Sequence, residues 1–134
     1  MAKNAPLTLE LDSHPMHLVL FDDAAPRTCE VLRQRLPLQG DIVHAMWSGP
    51  LCLLNEQYLD ESPLENPVTF LAPGDVIYHP VHHEIGFTYG TTQFREPIGS
   101  VYVTLIGRID DDLSTLERVG KNLQTTGAQP IVLR

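Results

Sequence analysis

A chain of 134 residues is the usual size of one domain and is long enough to bury a core without disulfides or metal. Its 43% hydrophobic and 19% charged residues are those of a globular protein rather than a disordered one. A formal charge of -8, with nine Lys and Arg scattered along the chain, repels phosphate backbones and excludes nucleic acid as an expected partner.

No stretch approaches the roughly 20 apolar residues of a membrane span, and MAKNAPLTLELDSH lacks a signal-peptide core. No membrane partner is expected, and the cytoplasm is the expected location. Eleven prolines and nine glycines cut the chain into short apolar runs, the pattern of a β-rich domain. Residues 7–11 alternate Leu7, Leu9 and Leu11 with Thr8 and Glu10, a strand with one wet face. In residues 16–21, Met16, Leu18 and Leu20 face one way and Val19 and Phe21 the other, which predicts a strand covered on both sides. A helix follows in AAPRTCEVLRQRLP, where Ala25, Cys29, Leu32 and Leu36 make one stripe. Pro26 suits its first position, Asp22 and Asp23 favour the positive end of its dipole, and Pro37 ends it.

Further strands are expected at residues 42–47, 51–55, 68–71, 76–79, 85–89 and 100–109. Residues 56–67 read as an ordered surface loop, and Pro73-Gly74-Asp75 as a tight turn into a strand. Asp110 to Asp112 favour the start of a second helix over about residues 113–126, with Leu113, Leu116, Val119 and Leu123 inward. Ser114 and Glu117 form a capping box there, and Gly120 runs against helix propensity. The tail PIVLR reads as a last strand. The sum is a single domain over residues 1–134, mainly β (α+β), built as a closed β-barrel of about eight strands with two helices over its ends.

The order strand, FDDAAPRTCEVLRQRLP, strand resembles the opening of cyclophilins, in which an acidic-Ala/Val-Pro-x-Thr segment leads into the first barrel helix. HAMWSG, PGDVIYHP and IGFTYG look more like a bacterial group of uncharacterised small proteins with a cyclophilin-like barrel. The resemblance runs from about Leu7 to Ile109 and implies a cyclophilin-like fold distant from the true cyclophilins. Active prolyl isomerases of that family carry an arginine on the strand after the first helix, followed by Phe-x-x-Gln-Gly-Gly-Asp. Here residues 44–49 are His-Ala-Met-Trp-Ser-Gly, so the donor that isomerase chemistry aims at the prolyl amide is absent. The resemblance implies the fold without the standard isomerase site.

His44 shares a strand face with Ile42 and Met46, a polar group in an apolar run, with Trp47 as an adjoining apolar wall. Downstream, Tyr78-His79-Pro80-Val81-His82-His83-Glu84 sets three imidazoles and a carboxylate within six residues. Such donors suit zinc, nickel or copper, and His82 would share a strand face with Glu84 if the strand began early. The spacing matches no standard metal motif, so a solvated hairpin tip is expected, with no metal and no cofactor. The ligand-binding candidates are His44, Trp47, Tyr78, His82, His83, Glu84 and Tyr89. Cys29 and Cys52 read as reduced, packed thiols. Ser48, Ser100 and Cys52 have no readable base partner, so covalent catalysis is not expected. Arg95 and Glu96, within residues 91–97, read as part of a surface loop.

The expected function is binding of a small molecule or short peptide in a pocket near His44 and the histidine-rich turn. Two rival classes stand beside it. One is an enzyme, a weak peptidyl-prolyl isomerase or an amide-processing protein with His44 or His83 as acid/base. The other is a non-catalytic interaction module that pairs with a partner or with itself as a homo-oligomer.

Overall fold

The computed structural model describes residues 3–59 and 64–134. In chain order the strands are β1 (Leu7–Leu11), β2 (His14–Leu20), β3 (Leu38–His44), β4 (Leu51–Leu54), β5 (Pro67–Val68), β6 (Phe70–Leu71) and β7 (Asp75–His79). They continue with β8 (Glu84–Thr88), β9 (Thr92–Gln93), β10 (Arg95–Glu96), β11 (Gly99–Ser100), β12 (Val103–Ile109) and β13 (Gln129–Leu133). Helix α1 (Pro26–Arg35) follows β2, and α2 (Ser114–Thr126) follows β12.

The long strands pair as an antiparallel ring in the order β2-β1-β13-β3-β4-β8-β7-β12, and β12 pairs back onto β2. This is the expected mainly β, closed eight-strand barrel with two helices, and closure removes the open edges that invite aggregation. The seam depends on Gly107, at a register shift in β12. A Cβ there would lie 2.4 Å from the Val19 carbonyl oxygen, so the two backbones approach only because residue 107 has no side chain.

The barrel interior is filled by alternate residues such as Leu9, Leu18, Tyr78 and Phe87, joined by Cys29 and Leu32 from α1 and Leu116 and Leu123 from α2. A smaller cluster of Leu51, Leu71, Ile77, Phe94 and Val103 packs separately. Ile77 lies between Val76 and Tyr78, both of which face the main core, so this second cluster covers the outer side of the same strands. Phe94 brings the 92–101 segment down onto that outer face, and the site lies under it.

Several local expectations are corrected. β2 is covered on one face only: Val19 is 39% exposed, and His14, Pro15 and His17 face solvent, because no second layer packs there. β3 starts and ends earlier than expected, leaving Met46 and Trp47 outside the strand, 84% and 55% exposed. Asp22 and Asp23 do not serve the start of α1. Asp22 takes a bidentate pair from Arg33, at 2.9 and 2.8 Å, and Asp23 pairs with Lys3 at 2.8 Å. The α1 amides instead meet a distant carboxylate: Glu65 accepts the N–H groups of Arg27 and Thr28 at 3.1 and 2.8 Å and the Thr28 hydroxyl at 2.9 Å.

The expected capping box on α2 is absent, since Ser114 is already helical and Leu113 holds the cap position. The Ser114 N–H donates to the Asp112 carboxylate at 2.7 Å. Gly120 has a packing reason, because a Cβ there would lie 2.4 Å from Tyr89 Cε1. Part of the expected 56–67 loop, residues 60–63, lies outside the described residues. No described helix is long and apolar enough to cross a membrane.

Candidate functional site

The reactive groups gather on the outer face of the barrel where β7 and β8 meet. The hairpin register sets His79 opposite Glu84, and alternation puts both on the side away from Tyr78 and Ile85, which face the core. The turn folds His82 back until its ring stacks on His79, with centroids 4.5 Å apart. His82 thus meets Glu84 through the turn and not through a shared strand face, since the strand begins only at Glu84.

Glu96 descends onto this pair from β10. Its Oε1 lies 2.6 Å from His79 Nε2 and 3.4 Å from His82 Nδ1, while Glu84 Oε1 lies 4.0 Å from the same His82 nitrogen. Two carboxylates therefore flank one imidazole, with side chains 12% (Glu84) and 18% (Glu96) exposed. Ser48 holds the segment that carries Glu96: its hydroxyl accepts the Arg95 N–H at 2.9 Å and donates to the Arg95 carbonyl at 3.0 Å. Thr92 in turn donates its hydroxyl to the Ser48 carbonyl at 2.5 Å. Ser48 thus tethers this segment.

The electrostatics follow from these contacts. His79 Nδ1 accepts the backbone N–H groups of Val81 and His82 at 3.2 and 3.3 Å, so the ring proton sits on Nε2 and is donated to Glu96. Burial holds the His79 imidazole below its ordinary range, against the pull of its hydrogen bond to Glu96. Burial also pushes the Glu84 carboxyl above its usual range; the nearby His82 pulls against this and Glu96 adds to it. His79, His82 and Glu96 bring three donor atoms within 4.8 Å of one another, the spacing of a metal centre. The chemistry of His79 opposes that role. A metal on Nε2 needs the proton on Nδ1, and ligating histidines give that proton to an acceptor, whereas here Nδ1 faces two N–H donors.

Beside the carboxylates lies a cavity of about 280 Å3. Val43, Leu53 and Phe94 make its apolar wall, Asn55, His82, Glu84, Arg95 and Glu96 its polar side, and Met46 and Trp47 its rim. Of the residues singled out from sequence, His44, Trp47, His82 and Glu84 are brought together around this cavity. The other three lie elsewhere. Tyr78 points into the core and clamps the chain after β4, donating to the Gln57 carbonyl at 2.7 Å and accepting the Leu59 N–H at 2.9 Å. His83 has a left-handed backbone, φ 57°, and lays its ring against Tyr58 at 4.2 Å. Tyr89 sits behind His44 and donates its hydroxyl to His44 Nε2 at 2.7 Å, while His44 Nδ1 donates to the Ala45 carbonyl at 2.7 Å.

Both nitrogens of His44 are thus committed to the protein, and its part in the cavity is that of a wall. Sequence reasoning missed Glu96 and His79 as a bonded pair. The available signal was Phe94, one apolar residue inside the polar 91–97 stretch, which marks a segment anchored to the sheet and not a free loop. Cys29 and Cys52 are free and buried, and burial pushes both thiols up to about 12.

Among solved structures, the fold is similar to that of McbB in complex with tryptophan, with a TM-score of 0.75 at 15% identity over 96% of this chain. The chain spans 44% of McbB, less than half of that protein. A hypothetical protein from Archaeoglobus fulgidus, solved in solution, is similar over its whole length, with a TM-score of 0.69, 20% identity, and coverage of 100% of this chain and 98% of that one. At these identities the likeness is one of fold. No curated protein matches by sequence. The model of a family described as a protein of unknown function (DUF3830) matches residues 7–134, and the chain belongs to that family.

Proposed function

We propose that this barrel, cyclophilin-like in kind, binds a small molecule carrying a protonated amine on an apolar body, and that the outer cavity is its site. The observation that carries the reading is the pair Glu84 and Glu96, two part-buried carboxylates converging on a cavity with apolar walls. An ammonium group entering there gains charge-assisted hydrogen bonds and relieves the repulsion between the carboxylates. At about 280 Å3 the cavity lies just below the usual range of ligand sites, about 300 to 1,000 Å3, so the ligand is no larger than an amino acid. McbB, similar in fold, was solved with tryptophan, an amine on an aromatic body, and that agrees with this ligand class. We also assign the protein to the cytoplasm, where its two buried thiols stay reduced.

The test is calorimetry and thermal shift with 2-phenylethylamine, 2-phenylethanol and 3-phenylpropionate. Only the amine is expected to raise the melting temperature, through its affinity for the native state. Glu84→Gln and Glu96→Gln should each weaken amine binding at least about tenfold, equivalent to about 1.4 kcal/mol. An alcohol or carboxylate that binds as tightly as the amine, or unchanged amine affinity in both variants, refutes the reading.

One observation favours a second reading, catalysis. Glu84 is pushed toward its protonated form while Glu96 accepts a fixed N–H, so one carboxyl is set up to give a proton and the other to take one. Solvent deuterium should then replace the proton on the carbon that bears the amine of phenylalaninamide, and Glu84→Gln should abolish the exchange. Incorporation no faster than in protein-free buffer removes this reading.

A further inference from the structure

We propose that the amine held by Glu84 and Glu96 is the amino terminus of a peptide, whose next residues lie extended along the end of β3. The inference rests on the amine reading of the outer cavity and names the ligand class. Across the Met46 ridge lies a second, more open groove of about 770 Å3. It shares Val43, His44, Ala45 and Met46 with the first cavity, and Lys121 and Gln124 of α2 stand on its far side. An amino-acid-sized ligand fills only the first of the two.

The backbone between them is unfinished as a sheet. The ladder between β3 and β13 ends at Ile42↔Gln129, whereas on the other side β3 stays paired with β4 through His44↔Cys52, and the Ala45 N–H goes on to donate to the Leu51 carbonyl at 2.9 Å. Backbone groups alternate in direction along a strand, so those of His44 point away from β4, toward the second groove. An extended chain can add to such an edge through main-chain hydrogen bonds, with its side chains in the adjoining pockets. Charge sets its direction. The two carboxylates stand at one end and receive an ammonium, whereas Lys121 at the other end is already paired with Glu117 at 2.7 Å, so the carboxylates fix the direction. Exposed Met46 and Trp47 give the crossing chain an apolar contact.

The experiment uses the full chain and the fluorescence of Trp47, the sole tryptophan, cross-checked by calorimetry. The probes are phenylalaninamide, Phe-Ala-Ala-amide and its N-acetylated form. The free tripeptide is expected to bind at least tenfold more tightly than phenylalaninamide, and acetylation should abolish binding. Gln124→Phe, an exposed position that narrows the second groove without touching either carboxylate, should reduce the tripeptide to the affinity of phenylalaninamide and leave phenylalaninamide unchanged. A tripeptide gaining less than threefold over a binding phenylalaninamide overturns the peptide inference and leaves the amine site standing. An acetylated peptide that binds as well as the free one overturns amino-terminal capture. If no amine probe binds, the inference and the amine reading fall together.

Discussion

Replacing a helical glycine by alanine ordinarily stabilises a protein, by up to about 1 kcal/mol, and Gly120→Ala in α2 is expected to do the opposite. The added Cβ would lie 2.4 Å from Tyr89 Cε1, 2.8 Å from Cδ1 and 3.0 Å from Cζ. The ring has little room to retreat, since Tyr89 is buried and its hydroxyl is bonded to His44 at 2.7 Å. Overpacking a core costs typically 1–3 kcal/mol, and loss of the His44 bond adds about 1 kcal/mol, so against the helix gain the net loss is about 1–3 kcal/mol. Urea denaturation followed by far-UV circular dichroism gives the difference from the shift in midpoint at constant slope. The companion variant is Tyr89→Leu, which removes the ring. In that background Gly120→Ala should become neutral or stabilising, because only the propensity gain is left. If Gly120→Ala is more stable than the parent chain, or costs the same with and without the ring, the packing argument is refuted.

Other perturbations have equally definite signs. Asp22 and Arg33 form a buried bidentate pair, and Arg33 holds the Asp22 carboxyl below its usual range. Asp22→Asn should cost about 3–5 kcal/mol at neutral pH. Because the native pKa is depressed, that stability is complete above the ordinary carboxylate range near pH 4 and is lost as pH falls through the native value. The gap in urea midpoint between parent and variant should therefore be full at pH 7 and narrow as pH falls below the ordinary carboxylate range; a gap that stays constant on acidification is the contrary result. Glu65→Ala strips the start of α1 of its carboxylate and should cost about 1–2 kcal/mol, read as a drop in melting temperature, whereas Asp23→Ala should change it little. Glu84 works the other way. Its pKa is raised, so its penalty is absent below the ordinary value near 4.3 and grows as pH rises toward the native one. Glu84→Gln should leave stability unchanged at pH 4 and increase it at pH 7, and a variant less stable than the parent at pH 7 contradicts the burial argument.

The barrel was legible because period-two alternation survives in its strands: Leu7, Leu9 and Leu11 face inward as the pattern requires, as do Met16, Leu18 and Leu20. What the alternation does not carry is the other face. Val19, with Phe21 just beyond β2, looks like a second buried stripe, yet no layer covers Val19, while Ala45, just past β3, and Leu53 and Ile77 on other strands pack in the cluster that holds Phe94. The helix ends show the same limit. Asp22 and Ser114 carry the right chemistry at the right local spacing, but the bonds are made by Arg33, Glu65 and Asp112, two of them with partners that only the folded chain brings near. In the site, the histidine-rich turn was visible as a run of residues. Its carboxylate partner was not, since Glu96 reaches His79 across 17 positions of sequence, in a stretch whose single apolar anchor looks like a loop residue.

The contrast between two acidic side chains says where the chain is built for stability and where for something else. Asp22 is buried against a guanidinium with matched geometry, so its charge is satisfied in the folded state. Glu84 is nearly as buried, but its ion-pair contact among the described residues is His82 Nδ1 at 4.0 Å, and a second carboxylate faces the same imidazole. By the sign of its shift, removing its charge is expected to improve the isolated fold, which would mean that stability does not account for it. Part of the cost is met by the Ser48 tether and the His79 N–H, which fix Glu96 in place and keep two like charges near each other. His82, which stands between the two carboxylates, offsets part of the penalty, and the amine proposed as ligand would offset more of it. The same burial that makes Glu84 costly in the free protein would strengthen its grip on the amine proposed as its ligand, because both effects come from the exclusion of water.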